Sequence, residues 1–321
     1  MDQPLVSILI PCYNAERWVG ATLESALAQT WPHKEIIVVN DGSRDGSLAL
    51  LKTYESRGVR VIDQPNAGQS AAFNTGIRHA KGRYYEFLDA DDLLAPEKIA
   101  SQVELLSRRP AGWLATGSWS RFTRDPSEAE FTPGPVPRDL APIDWIVALW
   151  MSDSMMHGAA WLIPSEVVAR AGGWNEKLSL INDFEFFSRL VLASPGVAHC
   201  AEARTYYRSD VAGSLSGRRS LAAWESAFLS TDLGTKNLIA REDSPRTRAA
   251  CANAWRLIAF DSYVDAPELS RRAEAKVRSF GEALGTPVGG PLYTALSRIV
   301  GWRLARRLQD FRKRRRRPAN P

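Results

Sequence analysis

Cysteine is scarce in this chain: Cys12, Cys200 and Cys251 are the only three among 321 residues. Their positions share no pairing or ligand spacing, so neither a disulfide framework nor a zinc site is expected. Histidine is nearly as rare, with four residues and no partner spacing, so a histidine metal centre is not expected either. No run of about eighteen apolar residues is present to make a spanning helix. A leading basic-apolar segment of the signal type is also lacking, which points to a cytoplasmic setting. Internal repeats are absent. The length allows one substantial α/β core and an accessory region.

What is present is an alternation of two periods. Leu5-Val6-Ser7-Ile8-Leu9-Ile10, Glu35 to Asn40, Val59 to Ile62 and Tyr84 to Leu88 are β-rich and mostly apolar. Between them Trp18 to Gln29, Ser47 to Tyr54 and Gln69 to His79 have helical spacing. Strands alternating with helices imply βαβ units and a mostly parallel central sheet with helices on both faces. In such sheets the site lies outside the carboxyl ends of the strands. Four polar, turn-forming clusters fall there: Pro11-Cys12-Tyr13-Asn14, Asn40-Asp41-Gly42-Ser43, Asn66-Ala67-Gly68 and Asp89-Ala90-Asp91.

The last cluster carries the strongest chemistry. Asp89 and Asp91 stand at i and i+2 after an apolar strand and can face one site. With Asp92 they crowd three acids together with no basic neighbour nearby, which favours a bound cation. Carboxylate oxygens suit Mg²⁺ or Mn²⁺, with phosphate oxygens and water completing the shell. A metal–diphosphate site is therefore expected; the plainer reading is an acidic turn before a helix that starts near Pro96.

Across residues 5 to about 216 the chain resembles inverting glycosyltransferase family 2, which has the GT-A nucleotide-diphosphosugar transferase fold. The resemblance is carried by Val6 to Asn14, Ile37 to Ser43, Asn66 to Ile77, Lys81 to Tyr84 and Phe87 to Asp92. It implies that Pro11 and Tyr13 border the nucleoside, with Asn14, Asn66, Gly68 and Ala90 in the same donor-binding clusters. It implies that Asp41 accepts from the base, that Asp89 contacts the ribose or the metal shell, and that Asp91 is the direct metal ligand. Phe73 departs from the pattern, which usually has Arg there. In Ile181-Asn182-Asp183 the family's Glu-Asp pair has become Asn182-Asp183; the resemblance makes Asp183 the catalytic base and Asn182 a substrate contact. A helix N-cap explains the same pair without catalysis. Thr205 to Ser216 is similar to a family loop that folds over the diphosphate, with Arg208 as the better phosphate partner and Asp210 where relatives often carry His. His157 and Trp161 are expected beside the acceptor, Trp161 and Trp174 as possible sugar platforms or simply as core.

The domain reading is a catalytic domain at 1–216 (nucleotide-binding half 1–95, acceptor half 96–216), a helical extension at 217–290 and a tail at 291–321. The five prolines between Asp125 and Pro142 suggest a surface excursion. Residues 298–321 hold ten Arg and Lys against Asp310 alone, +9, so the rest carries −4 of the net +5. Leu292, Leu296, Ile299, Val300, Leu304, Leu308 and Phe311 recur at helical spacing among those charges. Such a helix suits an anionic membrane face, with Trp302 and Phe311 at the boundary, and a peripheral position on the inner face of the plasma membrane. Nucleic acid is a weaker partner, since phosphate binding does not require the apolar stripe. The function expected is transfer of a sugar from a nucleoside-diphosphate-sugar, UDP-sugar favoured, to a hydroxyl of a glycan or lipid-linked acceptor, with Mn²⁺ or Mg²⁺. A nucleotide-sugar-binding scaffold and a nucleotidyltransferase are the alternatives; the latter lacks a Gly- and Lys/Arg-rich loop after the first strand.

Overall fold

A computed structural model describes residues 3–152, 154–209, 211, 217, 219–286 and 291–316. Asp210 and residues 212–216 of the expected diphosphate loop lie outside the described residues. The apolar runs of the first half become parallel neighbours. β1 (Val6–Cys12) pairs with β2 (Lys34–Asp41) and with β4 (Tyr84–Phe87), and β2 pairs with β3 (Val59–Gln64). α1 (Val19–Leu27), α2 (Ser47–Thr53) and α3 (Gln69–His79) are the intervening helices.

Both faces of this sheet are covered. Alternate residues of a strand point to opposite sides. Leu9, Ile37 and Val39 pack with Ala72 and Phe73 of α3, whereas Ile8, Ile10, Ile36 and Val38 pack with Val19, Leu23 and Leu51 of α1 and α2. Double burial explains why these strands read as continuous apolar runs rather than as alternation.

The chain after the acidic turn extends the same sheet with a change of direction. β5 (Leu93–Leu94) and α4 (Lys98–Ser107) follow the acidic turn, and β6 (Leu114–Phe122) and α5 (Pro142–Met151) come next. β7 (Trp161–Pro164) then runs antiparallel to β4, followed by α6 (Ser165–Ala171), α7 (Asn182–Ala193) and β8 (Val197–Arg208). The order is β3-β2-β1-β4-β7-β6-β8-β5. β6 is antiparallel to β7 and parallel to β8, and β5 is antiparallel to β8. The sheet is thus wholly parallel from β1 to β4 and mixed beyond them. Thr205 to Arg208, expected in a loop, is the end of β8. The proline-rich excursion is tied down: Val136 is buried and Leu140 bridges Val197. Beneath the site, fully buried Lys98 of α4 bonds Glu86 of β4 and the Trp161 carbonyl.

α8 (Leu221–Arg241), α9 (Pro245–Ser262) and α10 (Pro267–Ser279) form the helical extension. α9 and α10 start at prolines, whose missing N–H costs nothing at a first helical position. Trp224, Phe228, Trp255, Leu269 and Val277 give it a core that also takes in Leu180, just before α7. The tail is two helices, α11 (Pro291–Val300) and α12 (Trp302–Arg316), separated by Gly301 at φ 78°. Among the described residues no helix is long and apolar enough to cross a membrane.

The tail's orientation corrects one expectation. Trp302 does not sit at an outer boundary; its ring packs 5.0 Å from Phe260 and 5.1 Å from Tyr263 of the extension. Arg303 pairs with Glu274 at 2.7 Å and Arg306 with Asp261 at 2.5 Å. Those arginines hold the tail to the body. Ile299, Leu304, Leu308 and Phe311 remain exposed.

Candidate active site

A cavity of about 1000 Å³ opens at the carboxyl ends of β1, β2 and β4 and continues to α7 and the helical extension. On one side of it Pro11 is buried at the end of β1, and Tyr13 is 44% exposed at the lip. Asn14, at φ 49°, takes the left-handed conformation that Asn tolerates. Its Oδ1 accepts from the Arg44 N–H at 2.8 Å, so the side chain clips two loops together.

Asp41 is the hub of this side. Its Oδ1 accepts from Gln64 Nε2 at 2.7 Å and the Ala67 N–H at 2.9 Å. Its Oδ2 accepts from the Gly68 N–H at 2.8 Å and Asn66 Nδ2 at 3.1 Å. Four bonds fill a carboxylate's acceptor sites. The base contact expected of Asp41 is therefore not free in this arrangement; the residue instead builds the loop from β3 to α3. Asn66 likewise serves Asp41, through both its carboxylate and its carbonyl. Gly68 reaches its position only at φ +92°, where a side chain would be strained.

The acidic turn forms the centre. Asp89 Oδ1 accepts from Gln69 Nε2 at 2.7 Å, and the Ala90 carbonyl accepts from Thr22 Oγ1 at 2.9 Å. Asp92 is fully buried; its Oδ1 accepts from the Arg208 N–H at 2.7 Å. His157 Nε2 lies 2.8 Å from Asp92 Oδ2 but off the line of a hydrogen bond, which leaves that buried oxygen unsatisfied. His157 Nδ1 accepts from the Ala159 N–H, so the hydrogen-bond network assigns the neutral ring's proton to Nε2. Burial lowers the His157 pKa and keeps the ring neutral. Burial, then mutual repulsion, pushes Asp89 up to about 8 and Asp91 up to about 7. Burial also pushes Asp92 up to about 8, against the Arg208 N–H and charge.

These acids fit a divalent cation. Asp89, Asp92 and His157 offer ligand atoms within 4.8 Å of one another. The buried Asp92 Oδ2 is an oxygen without a hydrogen bond, and a buried acceptor in that state is costly. Since His157 presents a proton, the carboxylates of Asp89 and Asp92 are the better donors. Asp91, the ligand expected from the sequence, falls outside that trio, yet it lines the same cavity as Asp89.

Opposite the acids stands Asp183. It is the second residue of α7, which starts directly after Ile181, whose φ of 58° is costly for a β-branched residue. The helical extension holds that strain. Ser226 Oγ accepts from the Ser179 and Leu180 N–H groups at 2.7 and 3.1 Å, and Ser230 Oγ donates to the Ile181 carbonyl at 2.5 Å. Gly234 lies so close that a Cβ there would meet Phe184 Cε1 at 2.6 Å. Phe184 in turn stacks on Trp150 at 4.5 Å. Burial raises the Asp183 pKa, and its charge reaches Asp89 and His157 across the cavity.

Gln69 links the two sides. While its Nε2 holds Asp89, its Oε1 accepts from Asn182 Nδ2 at 3.2 Å, and Asn182 also donates to Ser70 Oγ at 3.1 Å. Asn182 is thus a strut between α3 and α7, its amide nitrogen taken up by protein. Other expectations are also revised. Trp161 is fully buried, stacked on Phe187 at 5.1 Å, and is core rather than a sugar platform. Trp174 stacks on Phe73 at 4.8 Å and on Phe186 at 3.9 Å, which accounts for Phe73 as a core residue. His157 faces the acids instead of an acceptor. Arg208 gives Nε to the Asp91 carbonyl at 2.9 Å and lies over Trp18 and Phe122, bracing the acidic turn.

Gln69 and Trp18 were not singled out from the sequence, and Asp92 was counted among the crowded acids without being named a ligand. Asp92 belongs to the acidic motif, but the motif alone does not say which acid turns inward. Gln69 and Trp18 gave no signal, being ordinary residues at helix starts.

The family model "Glycosyl transferase family 2" matches residues 7–137. The putative teichuronic acid biosynthesis glycosyltransferase TuaG of Bacillus subtilis is 38% identical over 118 residues, 36% of this chain and 47% of that one. The chain spans about a third to three fifths of the length of the first curated relatives it matches. Among solved structures, S. aureus TarS 1-349 in complex with UDP-GlcNAc superposes with TM-score 0.61 at 15% identity, covering 89% of this chain and 94% of that one. The mannosyltransferase PcManGT from Pyrobaculum calidifontis, in complex with GDP-Man and Mn²⁺, superposes with TM-score 0.57 at 18% identity, covering 97% and 85%. At such identities the structural likeness speaks for the fold alone. Sequence motifs, sheet order and these matches converge: residues 7–137 match the glycosyl transferase family 2 model, and the chain has the GT-A fold with a C-terminal helical region.

Proposed function

We propose that this chain is an inverting glycosyltransferase that moves a sugar from a nucleoside-diphosphate-sugar to a hydroxyl of a glycan or lipid-linked acceptor, in the synthesis of a cell-surface polysaccharide or glycoconjugate. The observation that carries the reading is one cavity with a carboxylate on each side: the Asp89–Asp92 turn at the sheet edge and Asp183 at the start of α7. TarS and PcManGT, which bind UDP-GlcNAc and GDP-Man, support a nucleotide-sugar donor, and we favour a UDP-sugar.

The roles follow from position. Pro11 and Tyr13 border the nucleoside, and the loop that Asp41 organises closes its other side. Asp89 and Asp92, with Asp91 beside them, would hold Mn²⁺ or Mg²⁺, which would offset negative charge on the diphosphate. Arg208 steadies that turn. Asp183 takes the proton from the acceptor hydroxyl as its oxygen attacks the anomeric carbon; the bond from that carbon to the diphosphate oxygen breaks, and the nucleoside diphosphate leaves with the electron pair. Burial raises the Asp183 pKa, which makes its carboxylate a stronger base than one in water. A single displacement inverts the anomeric centre. Incubation with UDP- and GDP-sugars is expected to release the nucleoside diphosphate slowly, only with Mn²⁺ or Mg²⁺ present. No release from any donor with either metal would favour the scaffold reading.

The tail supports attachment to an anionic membrane. Leu304, Leu308 and Phe311 lie at i, i+4 and i+7 of α12 and are exposed, away from buried Ala305. The sequence adds six cations at 312–317. Each apolar residue inserted is worth about 1.5–3 kcal/mol when fully buried, and each cation about 1 kcal/mol near the surface. Changing Leu304, Leu308 and Phe311 together to Gln, with the Trp302 packing kept, is expected to lower binding to phosphatidylglycerol vesicles by at least about tenfold. Undiminished sedimentation with vesicles would remove the membrane role.

A further inference from the structure

Arg121 stands near the end of β6, in register with Tyr207 of β8. Its guanidinium lies 4.6 Å over the Tyr207 ring and 5.7 Å from the Trp119 ring, and Nη2 is 3.6 Å from Met155 Sδ. The side chain is exposed and lines the same cavity as Asp91 and Asp183. Ring faces and a thioether orient a guanidinium without satisfying its N–H groups. Of the other arginines that line the cavity, Arg208 is taken up by the Asp91 and Thr123 carbonyls, and Arg219 lies over the Trp224 ring at the helical extension. Among the described residues no carboxylate pairs with Arg121.

Its charge reaches Asp92 and His157. The nucleoside side of the cavity is built by the ends of β1 and β2 and the start of α3. Arg121 lies on the other side of the acidic turn, beyond the His157 ring, which contacts Asp92 on one edge and packs 4.7 Å from Tyr207 and 6.0 Å from Trp119 on the other. A planar, permanently charged fork held there by aromatic rings suits two oxygens of one anion.

We propose that Arg121 is an acceptor-recognition residue that binds an oxyanion, a phosphate ester or a carboxylate, carried by the acceptor close to the hydroxyl being glycosylated. The proposal rests on the glycosyltransferase reading for the word acceptor, and it narrows that acceptor to an anionic one. Neutral glycans then enter the cavity without the contact that fixes their hydroxyl before Asp183. Arg121 touches no reacting atom, so its loss shows in acceptor affinity before it shows in turnover.

The test compares the wild-type chain with Arg121→Gln and Arg121→Lys, using glycerol 3-phosphate, glycerate and glycerol as probes. Binding of each probe is measured by calorimetry in the presence of UDP and Mn²⁺, and UDP binding is measured separately. The expected result is a preference of wild type for a charged probe over glycerol on the order of tenfold. Arg121→Gln should lose that preference, Arg121→Lys should keep part of it, and UDP should bind all three alike. Whichever charged probe binds tighter identifies phosphate or carboxylate as the group. Equal binding of charged and neutral probes by wild type overturns the proposal, as does a preference that survives in Arg121→Gln. A parallel loss of UDP binding in Arg121→Gln overturns it as well, by placing Arg121 on the donor. An anion preference that depends on Arg121 in a chain that binds neither UDP nor GDP would instead sink the glycosyltransferase reading and leave the anion subsite standing.

Discussion

Asp183→Asn is expected to lower the rate of sugar transfer on the order of a thousandfold, the usual worth of a positioned general base, while UDP binding stays within about twofold of wild type. The amide keeps the shape of the carboxylate, and its oxygen can still accept the Phe184 N–H that Asp183 accepts at 2.9 Å. It cannot take a proton from a hydroxyl. Because burial raises the pKa of Asp183, the wild-type rate should fall as pH drops through a value above the ordinary carboxylate range. The residual rate of the variant should lack that acid limb. Stopped turnover with retained donor affinity fits a base; a parallel loss of donor affinity would place Asp183 on the donor instead. Unchanged turnover would remove it from the chemistry.

The acidic turn predicts an unusual pH dependence of stability. Asp89, Asp91 and Asp92 have folded pKa values raised to about 8, 7 and 8, above those of the unfolded chain. Between pH 4 and 8 the folded protein therefore binds more protons than the unfolded one, and stability falls as pH rises. Their stabilising contribution is full below the unfolded pKa and is lost as pH passes through 7 to 8. A divalent cation replaces those protons, so its binding strengthens with pH and releases protons. In chelator, Tm is expected to fall by several degrees from pH 5.5 to pH 8.5; Mn²⁺ should restore it at pH 8.5 and have little effect at pH 5.5. Asp91→Asn should flatten both responses. A Tm indifferent to Mn²⁺ at pH 8.5 would rule out a cation at these acids.

Much of the nucleotide half was legible because its signals are local. Gln69–His79 is a helix over the very residues that show helical spacing, and the strands begin and end within a residue or two of their apolar runs. Double burial made those runs long enough to recognise. The acceptor half was harder to read. β6 and β8 are partnered across the chain, and β6 buries polar and small residues, Thr116, Gly117 and Ser118, which breaks up its apolar run. Arg121 therefore escaped notice, and Arg208 was placed in a loop. The resemblance to family 2 pointed to Asp183, but nothing near it in sequence predicts that Ser226 and Ser230, more than forty residues later, hold the turn that presents it.

By itself the sequence determined the resemblance to family 2, the alternation of strands and helices, and the gathering of polar turns at one sheet edge, because each depends on residues close along the chain. Tertiary structure alone decided which groups have free lone pairs. Asp41 is saturated by its own loop, Asp92 turns inward, Asn182 becomes a strut and Trp161 goes into the core. Hydrogen-bond capacity and exposure are set by neighbours that folding brings from far along the chain, and such neighbours leave no local pattern to read.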